Sequence, residues 1–205
     1  MKDRLIRTLG ITSIVVVLVA CGGDGRTLAP ASPEQTESVA IAPAVDAIDD
    51  AESFDIRGTW TEGGDLDPRH TCLGDGTSPP FEIIAAPEQT VSIAVLLYAV
   101  DAPGDVLWAM ANLAGNTVAV GEGATPPNVI VATNSDGALG YRAPCPSAGE
   151  RRQYLLTVFA LDGVVDSAAV TSADGVVDTE ALLTAIEMQT FDLAESTFYA
   201  QGPQQ

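Results

Sequence analysis

The chain reads as mainly β, a β-rich sandwich with one peripheral helix near its C-terminus. Three observations lead there. From Phe54 onward, short apolar or β-branched segments recur between Gly, Pro and Asp turn signals. Two segments, Val91 to Ala99 and Tyr154 to Leu161, are apolar at both alternating sets of positions, as expected of central strands buried on both faces. One late stretch, Thr179 to about Thr197, places Leu182, Leu183, Ile186, Phe191 and Ala194 at roughly helical spacing, with Asp178 or Thr179 as its cap.

The N-terminal region comes first and is of a different kind. Lys2, Arg4 and Arg7 precede an apolar run from Ile11 to Ala20, the pattern of a secretory signal over residues 1–20. That run is about half of the roughly 20 residues needed to span a bilayer, so a permanent membrane helix is not expected. It ends Leu18-Val19-Ala20-Cys21, which resembles the lipobox of bacterial lipoproteins. The resemblance implies cleavage before Cys21, lipidation of Cys21, and anchoring to a bacterial membrane by several acyl chains, with the domain outside the cytoplasm. Residues 21–52 then hold Gly, Ala, Pro, Ser, Thr and acids with few large apolar side chains, the composition of a flexible acidic tether.

Charge excludes some partners. Residues 1–20 carry Lys2, Arg4, Arg7 and Asp3, a net +2, so the chain's formal −19 becomes −21 without them. No lysine then remains. A nucleic-acid partner needs a basic footprint, and this chain has the opposite. Electrostatic attachment to anionic lipid is disfavoured for the same reason. The remaining length suits one domain, expected over residues 53–201 with a tail at 202–205.

Within that domain, Phe54 to Trp60 alternates apolar and polar residues as a half-buried first strand does. Phe81 to Ala85 and Val106 to Leu113 read as further strands, with short ones at Thr117 to Val120 and Val129 to Val131. Cys72 and Cys145 form an even pair in an exported chain, for which a disulfide is the default. Free thiols, or a metal held with His70, are the other readings. His70, the only histidine, reads as a packed or surface loop residue rather than a base. No Ser-His-Asp or Cys-His set can be assembled from what is left, so an enzyme is not expected, and no cofactor or metal is implied.

The stretch Gly140 to Asp162, GYRAPCPSAGERRQYLLTVFALD, mounts a Gly/Pro-rich turn and three arginines directly on a core strand. It resembles the G-Y-x-G-P-C-P-P-x-G…H-R-Y-x-F-x-V-Y-A-L-D signature of the phosphatidylethanolamine-binding (Raf-kinase-inhibitor-like) family in its bacterial branch. Arg69 to Phe81 similarly resembles that family's opening R-Y-T-C-D-G-x-x-x-S-P-P-L, and the likeness runs from residue 54 to about 200. It implies an antiparallel β-sandwich with a small anion pocket at one end, beside the C-terminal helix.

The pocket's usual residues are depleted. The family's D-P-D-A-P loop reads Ala99-Val100-Asp101-Ala102-Pro103, the histidine of its W-H-W falls on Leu107, and the histidine of H-R-Y falls on Arg152. A further histidine of the terminal helix falls on Gln189. The implied ligand residues that survive or are substituted are Asp101, Pro103, Trp108, Tyr141, Pro144, Arg152 and Tyr154. Arg152 can replace an imidazole with a permanent forked cation, or it can pair with nearby acids. The expected function is a non-enzymatic, lipid-anchored binding protein for a small anionic or phosphorylated ligand. The alternative is a protein-interaction or protease-inhibitor-like module that engages an envelope protein without any small ligand.

Overall fold

The computed structural model describes residues 53–204, so the expected signal peptide, the acylated Cys21 and the tether lie outside the described residues. Two sheets form. Strands β1 (Asp55–Gly58), β2 (Gly64–Asp65), β3 (Phe81–Ile84), β4 (Ser92–Ala99), β5 (Ala102–Ala114), β6 (Ala119–Val120), β7 (Ile130–Val131) and β8 (Arg151–Leu161) come first. Helices α1 (Ser167–Val170) and α2 (Thr179–Gln189) and the last strand, β9 (Thr190–Gln201), complete the chain. One sheet has the order β1-β3-β6 and the other β2-β9-β8-β4-β5-β7.

Every pairing is antiparallel except β2 with β9, which is parallel and joins only Gly64 and Asp65 to Phe198 and Tyr199. The two both-face apolar runs became the two central strands. β4 lies between β8 and β5, and β8 between β9 and β4. Side chains of Ile93, Val95, Leu97, Leu156, Val158 and Phe198 fill the space between the sheets, together with Ile56, Phe81 and Ile83 from the smaller sheet. On the outer face, Ala94, Ala109, Ala111 and Leu161 pack against Val170 of α1 and Leu182 and Ile186 of α2. The architecture is therefore a β sandwich with helices on one outer face.

The late helix is real but short. Asp178 caps it, its carboxylate accepting the Ala181 N–H at 3.0 Å. It stops at Gln189 instead of running to Thr197, and residues 190–201 pair with all of β8. The reason is visible in the burial. Ala194, Ser196, Phe198 and Ala200 are buried at every second position, a period-2 pattern that fits the core groove beside β8. Phe191 and Ala194, read as continuing the helical face, belong to this strand. α1 and the parallel β2 contact were not expected from sequence.

The first strand is shorter than the alternation suggests, because Trp60 turns in to stack edge-on against Phe198 at 5.0 Å and gives its indole N–H to Ser196 Oγ at 2.9 Å. The expected loop at Asp101-Ala102-Pro103 is tighter than a loop. Ala99 pairs with Ala102, leaving Val100 and Asp101 as a two-residue hairpin turn and placing Pro103 in β5.

Candidate functional site

Register builds the site. Antiparallel pairing of Ala99 with Tyr154 and the Val100 N–H bond to Gln153 O at 3.0 Å carry Asp101 to a place opposite Arg152. Arg152 Nε donates to Asp101 Oδ1 at 2.6 Å, and its Nη1 lies 3.6 Å from Asp105 Oδ2. A second arginine arrives by another route. The Arg142 N–H donates to Leu107 O at 2.8 Å, which fixes Arg142 beside β5 and brings its guanidinium to Asp105. Arg142 Nη1 also donates to Asp136 Oδ1 at 3.1 Å. Asp105 thus joins both guanidiniums, and Asp101, Arg152, Asp105, Arg142 and Asp136 form one network.

Beside it opens a cleft of about 540 Å³ lined by Asp101, Cys145, Pro146, Ser147, Glu150, Arg151 and Arg152. The turn on one wall is stapled by the Cys72–Cys145 disulfide, with the Cys72 N–H donating to Pro144 O at 3.2 Å. The tail expected at residues 202–205 takes part as well. Gly202 N–H donates to Glu150 O at 2.8 Å, and a Cβ on Gly202 would lie 2.0 Å from Ser147 O, so only glycine lets the chain end press on this turn. Arg151 faces outward, its Nε 2.8 Å from Asp65 Oδ1 and its guanidinium 3.6 Å over the Tyr199 ring.

The sequence-predicted site residues separate into two groups. Asp101 and Arg152 border the cleft, and Pro103 is exposed on β5 next to the hairpin turn. Trp108, Pro144 and Tyr154 are buried. Trp108 meets Phe81 and Tyr141 edge-on at 6.3 and 5.7 Å, while Tyr154 stacks on Phe198 at 5.9 Å. Tyr141 gives its hydroxyl proton to His70 O at 2.6 Å, tying the turn to the opening loop. None of these aromatics lines the cleft. Asp105 and Arg142 were not singled out as site residues from sequence, although Arg142 sits in the arginine-bearing stretch.

Burial raises the Tyr154 phenol; Arg152 beside it pulls the other way, and Asp105 adds to the rise. Burial, with a smaller push from Tyr154, raises Tyr141 far above the ordinary tyrosine value. The hydrogen bond to Asp101 raises Arg152 further above an already high value. Both phenols therefore stay neutral and Arg152 stays charged near neutral pH. His70 is buried, its Nδ1 3.0 Å from Thr77 O. Among the described residues no cluster of three His, Cys, Asp or Glu side chains is placed to hold a metal ion.

Fold and site together define a β-sandwich protein with a charged cleft where a hairpin turn, a disulfide-stapled turn and the chain end meet. The sequence pattern described as "PBP: Phosphatidylethanolamine-binding protein" matches residues 57–201. This chain belongs to the phosphatidylethanolamine-binding protein family. It is 32% identical over 114 residues to a UPF0098 protein of Methanothermobacter thermautotrophicus, covering 52% of this chain and 75% of that one. It is 28% identical over 164 residues to a Mycobacterium tuberculosis protein described as "Putative lipoprotein LppC", covering 76% of this chain and 78% of that one. The crystal structure of Escherichia coli YbcL shares the fold with a TM-score of 0.63 at 22% identity, over 73% of this chain and 99% of YbcL. No helix among the described residues is long and apolar enough to cross a membrane.

Proposed function

We propose that this chain is a non-enzymatic, lipid-anchored binding protein of the bacterial cell envelope that takes a small phosphorylated or carboxylate ligand at Arg152. One observation carries the ligand reading. Arg152 borders the cleft, and its closest partner is the exposed Asp101, whose side chain is 68% accessible. Exposed ion pairs contribute only about 0.2–1 kcal/mol. A dianion with forked geometry competes well for such a guanidinium. The anchor reading rests on the Leu18-Val19-Ala20-Cys21 pattern and on the relative described as a lipoprotein. The non-enzymatic reading rests on the sequence, in which no Ser-His-Asp or Cys-His set can be assembled.

A second reading is favoured by Asp105. Because it joins Arg142 and Arg152, the place of an anion is already filled from within, which suits a protein-interaction module with no small ligand. Thermal unfolding against phosphate, phosphoethanolamine and small carboxylates separates the two. Ligand at about 100 times its dissociation constant stabilises by roughly 2.7 kcal/mol. The ligand reading expects a shift that disappears in Arg152→Ala. No shift with any of these compounds moves the account to the second reading.

A further inference from the structure

The opposite end of the larger sheet carries a second surface, seven strand residues from Arg152 along β8 and so about 23 Å away at 3.3 Å per residue. There α2 leaves part of the outer sheet face uncovered. A groove of about 410 Å³ is lined by Leu96, Phe159, Leu183, Ile186, Glu187, Thr190 and Leu193. Leu193 of this lining is 44% accessible, and Phe191, two residues before it on β9, is 38% accessible.

Beside this groove β9 is an open edge. β2 covers it only at Phe198 and Tyr199, and among the described residues no strand pairs with it between residues 190 and 197 on that side. Thr197 shows which main-chain groups face outward, since its N–H goes to Glu62 Oε1 at 2.9 Å and its C=O accepts from Gly63 N–H at 2.9 Å. The β8–β9 register is unbroken from Thr197 to Asp192, so Leu193 and Glu195 turn their main-chain groups the same way. The Leu193 N–H is met by the neighbouring Asp192 Oδ1 at 2.9 Å. Next to Glu195 a crevice of about 350 Å³ is lined by residues 55–58 of β1 together with Trp60, Glu62 and Ser196.

Charge then selects the occupant. Glu187, Asp192 and Glu195 ring the groove and edge, and none of the three is ion-paired among the described residues. Arg57, the cation lining the crevice, pairs with Glu82 at 3.6 Å. A second copy would bring these acids against their own equivalents, in a chain of formal charge −19. An anionic lipid surface is repelled in the same way. We infer that the β9 edge, with the apolar groove beside it, docks an extended, basic and apolar segment of a partner protein as an added strand. Main-chain bonds to the Leu193 C=O and to the Glu195 N–H and C=O give the pairing, alternate apolar side chains enter the groove, and cationic side chains meet Glu187, Asp192 and Glu195.

The test uses the full chain carrying Cys21→Ala and two fluorescent probes, a peptide of alternating valine and lysine and its valine–glutamate counterpart. The expected result is anisotropy-detected binding of the lysine peptide alone, weakened at least tenfold by Leu193→Ser and by Glu195→Pro. The proline removes an outward N–H from an edge position that β8 does not use. Leu193→Ser changes only an exposed side chain, so it stands even if the proline variant folds poorly. Equal binding by the glutamate peptide, or binding untouched by Leu193→Ser, overturns the inference. A dimer in sedimentation that Leu193→Ser dissociates overturns it as well, in favour of a second copy.

Discussion

Removing the Cys72–Cys145 bond is the perturbation whose size follows most directly from the structure. The two cysteines are 73 residues apart in sequence, and both are exposed, so replacing both with serine opens no core cavity. In the chain-entropy description, closing a loop this long removes unfolded-state freedom equivalent to about 4 kcal/mol at 25 °C. A domain of this size shifts by roughly 2–4 °C per kcal/mol. The double variant Cys72→Ser/Cys145→Ser is therefore expected to melt roughly 8–16 °C below the parent. The folded turn keeps other ties, including Cys72 N–H to Pro144 O and Tyr141 Oη to His70 O, so the fold itself survives. Differential scanning calorimetry checks this, with the dithiothreitol-reduced parent expected to match the variant. A drop below about 3 °C would refute the reasoning, because the bond would then be constraining little of the unfolded chain.

Two further outcomes follow from local geometry. Burial pushes the Glu62 carboxyl up, but hydrogen bonds from the Thr197 hydroxyl, Ser196 Oγ and the Thr197 N–H outweigh it and hold the group below the ordinary glutamate value. A depressed folded value means that the contribution is present above the unfolded value of about 4.3 and is lost as pH falls through the folded one. Glu62→Gln is thus expected to lower Tm at pH 7 by more than at pH 3, and an equal gap at both would contradict the assignment. Asp178→Ala removes the α2 cap and is expected to cost about 1 kcal/mol in urea unfolding; an unchanged midpoint would show that α2 is held by Leu182 and Ile186 alone.

What could be read in advance depended on how local the determinant was. Val91 to Ala99 and Tyr154 to Leu161 declared themselves central because both faces are apolar, a property of the segment itself. The end of α2 did not, since Gln189-Thr190 carries no Gly or Pro break and Phe191 and Ala194 satisfy a helical spacing as well as a strand one. Only the groove beside β8 decides between them. Pairing of Arg152 with nearby acids was one of the open readings, and register brings Asp101 to it as a partner. Asp105 stayed hidden for a stronger reason. Its role exists only because the Arg142 N–H bonds to Leu107 O on β5 and delivers a second guanidinium, a tertiary event with no mark in the sequence around position 105. The contact of Gly202 with this turn had no mark in the sequence either, because it depends on the nearness of Ser147 O.

In the ligand reading, an exogenous anion competes with Asp101 for Arg152. Calorimetric titration of phosphoethanolamine into the parent, Asp101→Asn and Arg152→Ala tests it most directly. Removing the competitor is expected to tighten binding by about two- to fivefold, in keeping with an exposed pair of about 0.5–1 kcal/mol, while Arg152→Ala abolishes it. Affinity that ignores both substitutions, or that weakens in Asp101→Asn, would contradict the claim and place the ligand elsewhere on the protein.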